Sequence, residues 1–294
     1  MSKAYAEDVF PDLGPVETLP DRFGARDYVA GLAYRSVGSG PVLFLIHGGS
    51  GSRNHWLRNV EALSRHFLVV TIDLPGFGES GSPPVKIETS EYLDWVADSV
   101  GLVLETDSAF HIAGFSFGGA VAAATAAALW RRGYNLQRLT LVSPAGFGRP
   151  TGRDIELEKV FKGPDTTQEE VRAATARNLG RWMLNKTPSP DATAVDIHLW
   201  NVANARYDSR RISHLDTVIG DIRSVGVPVQ VMLGASDPLI FPSFDERRAR
   251  LSEALPGIHI ETVTGAGHWL PYEASDIVNR CLIQFHLKGD DNVF

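Results

Sequence analysis

Two short stretches of the chain are apolar on successive residues: Val42 to Ile46 (Val-Leu-Phe-Leu-Ile) and Phe67 to Ile72 (Phe-Leu-Val-Val-Thr-Ile). Unbroken apolar runs of this length suit strands buried on both faces of a parallel sheet, because a strand with one wet face alternates instead. Ala109 to Ala113, Leu139 to Ser143, Val229 to Leu233 and Ile258 to Val263 read as further strands. Between them the period changes. In Ser90 to Leu104, residues Tyr92, Trp95, Val96, Val100 and Val103 recur at helical spacing, and Ala120 to Arg132 supplies another helix. Strands buried on both faces need helices to cover them, so the pattern predicts an α/β fold, a βα repeat wound about one parallel sheet.

The rhythm stops between about Gly148 and Thr217. This stretch holds Arg153, Asp154, Glu156, Glu158 and Lys159, then a capping box from Thr166 to Glu169 that opens a helix through Leu184, then Pro188 and Pro190, then a second helical pattern around Val195 to Ala205. It contains no convincing strand. Residues 148–217 are therefore expected to form a helical insertion over the C-terminal edge of the sheet, with 1–147 and 218–294 as the core.

Composition changes this picture little. At 294 residues and 44% hydrophobic, the chain can bury a sizeable core without disulfides or metals. The single cysteine, Cys281, lies in an apolar stretch with Ile277, Val278, Leu282 and Phe285, which suits a packed thiol. A formal charge of -7 without a Lys/Arg cluster argues against nucleic-acid binding. The longest apolar run, Ala120 to Trp130, falls short of the ~20 residues of a bilayer span, and Met1 to Asp8 lacks the apolar core of a secretory signal. A cytoplasmic protein without a membrane partner is the expectation.

The candidate chemistry begins at Gly114-Phe115-Ser116-Phe117-Gly118, which directly follows a strand and precedes an alanine-rich helix. That is the setting of a nucleophile elbow, a sharp turn that presents a serine at a helix N-terminus. A serine hydroxyl needs a base, and the base an orienting acid. Asp237, in Gly234-Ala235-Ser236-Asp237-Pro238, and His268, in Gly265-Ala266-Gly267-His268-Trp269, each lie just past a strand. Asp245 and Glu246 compete with Asp237 but stand farther from the strand end. Such strand ends are where open α/β sheets bind ligands. His47-Gly48-Gly49-Ser50-Gly51 follows the first strand, so the amides of Gly49 and Phe117 are candidate oxyanion donors and His47 a pin for the loop.

Phe115, Trp182, His198, Trp200 and Trp269 are candidate pocket residues, and the indoles favour a small-molecule substrate with an apolar portion. His111 and His259 read as core or edge residues, whereas His55, His66, His214 and His286 read as solvated. Arg206, Arg210 and Arg211 fit a carboxylate-bearing substrate or, more simply, a solvated helix face. The acidic residues Asp154, Glu156 and Glu158 read as solvent-facing. No His-x-His, His-Glu-x-x-His or paired cysteine occurs, so no catalytic metal is expected. The loop at Gly48 lacks both the spacing and the lysine of a phosphate loop, so no nucleotide cofactor is expected either.

In their order along the chain, His47-Gly48-Gly49, Asp73-Leu74-Pro75-Gly76-Phe77-Gly78-Glu79-Ser80, Gly114 to Gly119, Asp237 and Gly267-His268 resemble the α/β-hydrolase superfamily from about residue 28 to residue 287. The resemblance implies a mostly parallel eight-stranded sheet flanked by helices, with residues 148–217 as a cap. The glycine-rich loop and Trp269 after His268 are similar to the C-C bond hydrolases that cleave meta-ring-fission products. Those enzymes carry Asn before the nucleophile, where this chain has Phe115, so esterases stand beside them. What the resemblance implies is a cofactor-free serine hydrolase acting on an activated carbonyl, that of an ester, a lactone or a 2-hydroxy-6-oxo-dienoate. Serine at 116 argues against the carboxylate chemistry of haloalkane dehalogenases and epoxide hydrolases. Readings from other classes are a ligand-binding or receptor protein and a cofactor-free lyase or perhydrolase on the same fold.

Overall fold

The computed structural model describes residues 22–288 except 106, 152–154, 160–165 and 186–189. Met1 to Asp8, Arg153, Asp154 and Pro188 lie outside the described residues. The strands are β1 (Ala25–Val29), β2 (Leu32–Val37), β3 (Val42–Ile46), β4 (Leu68–Asp73), β5 (Phe110–Phe115), β6 (Leu136–Val142), β7 (Val229–Gly234) and β8 (His259–Val263). They form one sheet in the spatial order β1-β2-β4-β3-β5-β6-β7-β8. The β1–β2 and β2–β4 pairs are antiparallel, and every later pair is parallel.

The unbroken apolar runs account for the middle of this sheet. All residues of β5 and β7 are buried, as strands with helices on both faces require. The β1–β2 hairpin was not signalled by any such run. It mixes Arg26, Asp27, Arg35 and Ser36 with apolar residues, and four of the five β1 residues are exposed at the sheet edge.

Helices α1 (Val60–Leu63), α2 (Thr89–Val103) and α3 (Phe117–Arg131) follow the early strands. Between β6 and β7 come α4 (Gln168–Trp182), α5 (Ala192–Ala203), α6 (Arg210–Ser213) and α7 (Val218–Arg223); α8 (Phe244–Ala254), α9 (Leu270–Glu273) and α10 (Ser275–His286) complete the chain. One core face packs α2, α3, α7 and α8 against the sheet through Val96, Val121, Ile222 and Leu251. The other uses α1 and α10, and its apolar cluster runs on into α4 and α5 through Leu179, Ala194 and Ile197. The insertion thus packs onto this face through α4 and α5, while Ile212 of α6 joins the cluster on the other face. Among the described residues, no helix is long and apolar enough to cross a membrane.

Three expectations need correction. The capping box of α4 joins Thr167 to Glu170, one residue later than the spacing predicted: Thr167 Oγ1 accepts from Glu170 N at 3.2 Å, and Glu170 Oε2 accepts from Thr167 N at 2.8 Å. Paired threonines and paired glutamates make two registers equivalent locally, and burial of Val171, Ala174 and Leu179 selects one of them. The second insertion helix begins at Ala192, capped by Asp191 Oδ1, which accepts from Ala194 N at 2.9 Å. His55 and His286 are buried rather than solvated, at 2% and 3% exposure. His55 Nδ1 accepts from Gly48 N at 3.1 Å, and His286 Nε2 lies 2.9 Å from Thr140 Oγ1.

Candidate active site

Ser116 joins β5 to α3 with φ 55° and ψ -118°, a conformation a non-glycine residue rarely adopts. The sheet holds it there: Ser116 N donates to Val142 O at 2.9 Å, which carries the β5–β6 pairing up to the serine itself. The flanking glycines are sterically required, because a Cβ on Gly118 would stand 2.1 Å from His47 O and one on Gly114 would stand 2.2 Å from Gly118 O. The serine is thereby forced out of the strand toward the strand-end loops.

His268 meets it there. His268 Nε2 lies 2.8 Å from Ser116 Oγ, and His268 Nδ1 lies 2.8 Å from Asp237 Oδ2. The second carboxylate oxygen of Asp237 accepts from Leu239 N at 2.7 Å. Asp237 and His268 are each 6% exposed. Burial pushes the Asp237 carboxyl up, but His268, the Leu239 amide and the Arg247 guanidinium together outweigh it and hold the group below its ordinary value. An ionised Asp237 keeps the proton of His268 on Nδ1 and leaves Nε2 free to accept from the serine. Asp245 and Glu246, the competing acids, lie in the first turn of α8.

Gly49 and Phe117, the candidate amide donors, line the cavity together with Ser116. Phe117 is the first residue of α3, so its N–H has no intrahelical partner. Gly49 lies beside it: a Cβ on Gly49 would come within 3.5 Å of Phe117 Cβ. The amide of Gly49 has no hydrogen-bond partner among the described residues. Two buried histidines shape this loop. His47 Nε2 accepts from Leu74 N at 2.9 Å, and its Nδ1–H donates to Gly48 O at 2.7 Å. His55 takes the neighbouring Gly48 amide. Burial pushes the pKa of His47 down and that of His55 well down, so both stay neutral and keep these bonds.

The serine opens into a cavity of about 820 Å³, within the usual size of small-molecule sites. Of the candidate pocket residues, Phe115 and Trp182 line it. His198, Trp200 and Trp269 do not. Trp269 is 1% exposed and donates from Nε1 to His55 O at 3.0 Å. Trp200 lies under the Arg53 guanidinium, 5.8 Å away. His198 stands one layer back, edge-on to Trp182 at 5.9 Å, where burial lowers its pKa to about 4.

Of the insertion's arginines, Arg206 and Arg210 are exposed and line the cavity and Arg211 is half-buried, and each is bonded to the protein. Arg206 donates to Ser80 O at 2.6 Å, Ser82 Oγ at 2.9 Å and Asn204 O at 3.0 Å. Arg211 donates to Ile87 O and lies over the Tyr207 ring, while Arg210 forks onto Asp208 with two bonds of 2.8 Å. His214 is half-buried and lines the cavity. Arg247 escaped the sequence reading altogether. It lies in the polar run Asp245-Glu246-Arg247-Arg248, which looks like a wet helix face, yet it is 3% exposed and donates to Pro144 O and Phe241 O, each at 2.6 Å. Among the described residues, no group of three or more His, Cys, Asp or Glu side chains is placed to hold a metal ion.

The family model described as the alpha/beta hydrolase family matches residues 42–280. The chain is 27% identical to carboxylesterase YbfK of Bacillus subtilis, in an alignment covering 98% of this chain and 93% of that protein. The crystal structure of that carboxylesterase, CesB (YbfK), is similar at a TM-score of 0.65 and 25% identity, covering 90% of this chain and 92% of the other. A meta-cleavage product hydrolase from Pseudomonas fluorescens IP01 shares the fold at a TM-score of 0.66 and 22% identity, covering 90% and 98%. The family match runs from β3 into α10 and encloses the elbow, Asp237 and His268, and the chain therefore belongs to the α/β hydrolase family.

Proposed function

We propose that the protein hydrolyses carboxylic esters with an apolar aryl or acyl portion, through a covalent intermediate on Ser116. The observation that carries this reading is the continuous pair of 2.8 Å hydrogen bonds from Ser116 through His268 to Asp237, at the edge of the cavity. In this reading His268 takes the hydroxyl proton as Ser116 Oγ attacks the ester carbonyl, and Asp237 stabilises the imidazolium. The oxyanion points at the amides of Gly49 and Phe117, an interaction worth about 3–4 kcal/mol per donor in a comparable hydrolase. The alcohol leaves with the proton from His268, and water activated by the same base releases the acid.

The cavity lining combines aromatic Phe115, Phe147, Phe241 and Trp182 with polar Arg206, Asp208, Ser209, Arg210 and Ser213. An ester with one apolar half fits that lining. The likeness to carboxylesterase YbfK supports the same choice. Support for C-C bond cleavage is weaker: Trp269 is turned toward His55 O, outside the cavity lining, and Phe115 brings a hydrocarbon ring where that branch carries an amide.

The test is a panel of p-nitrophenyl esters together with a fluorophosphonate probe. Aryl esters should be turned over and the probe should label Ser116, with both lost in a folded Ser116→Ala variant. Turnover retained by that variant, or cleavage of dienoates without ester turnover, would overturn the proposal. An unlabelled, inactive protein would favour a binding role.

A further inference from the structure

Two peptide groups beside His268, Ala266–Gly267 and His268–Trp269, are tied to the segment that follows α4. Gly267 N donates to Glu273 Oε2 at 2.6 Å, and the other oxygen of that carboxylate accepts from Asn185 N at 2.8 Å. On the far side of His268, Trp269 N donates to Met183 O at 2.8 Å. The two backbones touch here. A Cβ on Gly267 would stand 3.0 Å from Asn185 N and 3.1 Å from Met183 O, so only glycine permits this approach without displacement.

The other end of the same segment is the cavity wall. Trp182 and Met183 both line the cavity, and the carbonyl of Met183 is the one that holds Trp269. Glu273 is 9% exposed, and a carboxylate accepting two backbone N–H groups forms short, charge-assisted bonds. An ionised carboxylate is acceptor-only, which matches the two N–H donors it faces. None of the steps from attack to deacylation uses Glu273, and no sequence motif singled it out.

We infer that Glu273 is a positioning residue that couples the cavity wall at Trp182–Met183 to His268. A substrate seated against this wall fixes residues 183–185, and through Glu273 and Met183 O it fixes the Ala266–Gly267 and His268–Trp269 peptide groups near the base. Displacement of a catalytic group by a fraction of an ångström matters, since a 1 Å misplacement can lower the rate by about 100-fold. The inference rests on the reading of His268 as the base for Ser116. It adds that occupancy of the apolar wall raises kcat as well as binding.

The experiment compares kcat and KM for p-nitrophenyl acetate, whose acyl group is too short to fill the cavity, with those for p-nitrophenyl 4-phenylbutyrate, which has the same leaving group. Glu273→Gln keeps the volume but turns an NH2 toward one of the two amide donors. Asn185→Pro removes the other bond while leaving Glu273 and Gly267 in place. The expected result is a ratio of phenylbutyrate to acetate kcat that falls by about tenfold in both variants. A ratio equal to that of the wild type, an equal fall in both kcat values, or a change confined to KM would overturn the coupling. A wild type active on both esters with no kcat preference for phenylbutyrate would overturn it too, while leaving the esterase reading intact. A wild type inert toward both esters and unlabelled by the fluorophosphonate removes the esterase reading and the coupling with it.

Discussion

The floor of the cavity carries Gly49, Ser116, Phe117 and His268, with Asp237 behind the histidine, each just past the C-terminal end of a strand; its roof carries Trp182, Met183, Tyr207 and Ser209, from the insertion between β6 and β7. Floor residues are placed by backbone. Strand pairing sets Ile46 opposite Gly114 and Phe115 opposite Val142, and the glycines of the elbow pass within contact of neighbouring carbonyls. Roof residues are placed largely by side-chain straps, Ser52 Oγ to Asn201 Oδ1 at 2.5 Å, Arg58 to Asp191 at 2.6 Å and Arg206 to Ser80 O at 2.6 Å, beside isolated backbone bonds such as Trp269 N to Met183 O and Arg206 N to Gly76 O. A ladder of backbone bonds has little slack, whereas a strap can be exchanged. On the proposed reading, the difference teaches that the chemistry rests on the part with little slack and selectivity on the part whose straps can be exchanged.

The sharpest way to break the contrast is at the floor. Ser116→Ala should lower kcat by about 10⁶-fold, the loss found when a serine protease loses its nucleophile, with the melting temperature nearly unchanged; ester assays and thermal unfolding check both. Asp237→Asn should cost about 10⁴-fold in kcat by favouring the wrong tautomer of His268, and a loss below tenfold would show that another group orients the base. Gly118→Ala should destabilise the fold by about 1–3 kcal/mol through the clash with His47 O, read from denaturant midpoints. A variant as stable as the parent would mean that the floor is looser than its distances imply.

Acid should loosen the molecule more gently. Burial pushes the pKa of His111, with help from Arg138, and that of His198 to about 4, and depresses those of His47, His55 and His286 as well. The unfolded chain takes up these protons near pH 6.5 and the native state only at lower pH. The histidines' contribution to stability is therefore complete above about pH 6.5 and declines as the pH falls toward 4, with His111 contributing about 1.4 kcal/mol per pH unit, while Asp221, its carboxyl raised by burial to about 6, acts in the opposite sense. In His111→Gln the slope of urea-unfolding free energy between pH 6.5 and 5 should flatten by that amount. The smallest effect belongs to the roof. Arg206→Met should lose about 1 kcal/mol of stability and shift KM for bulky esters more than kcat for acetates. A collapse of acetate kcat would erase the distinction between the two regions.

The two regions also differ in how legible they are in the sequence. β3 lies where the apolar run placed it, and β4, β7 and β8 begin or end within one residue of theirs. The elbow, Asp237 and His268 were legible because each is a short motif attached to a strand end. The β1–β2 hairpin was not, because an edge strand carries polar residues on its wet face. Arg247 and His55 were misread or missed because a buried charge or imidazole looks like a solvated one until its hydrogen-bond partners, distant along the chain, are known.

What the chain determined by itself was the alternation of strands and helices, the order of serine, acid and base, and the glycines that let the serine turn outward; all are local, set by steric limits and hydrophobic period over a few residues. Only the tertiary structure decided which indoles face the cavity, which register caps α4, and that Glu273 joins the insertion to the loop of His268. Those outcomes depend on how the insertion helices are rotated against the core, a choice made by the summed burial of many distant side chains.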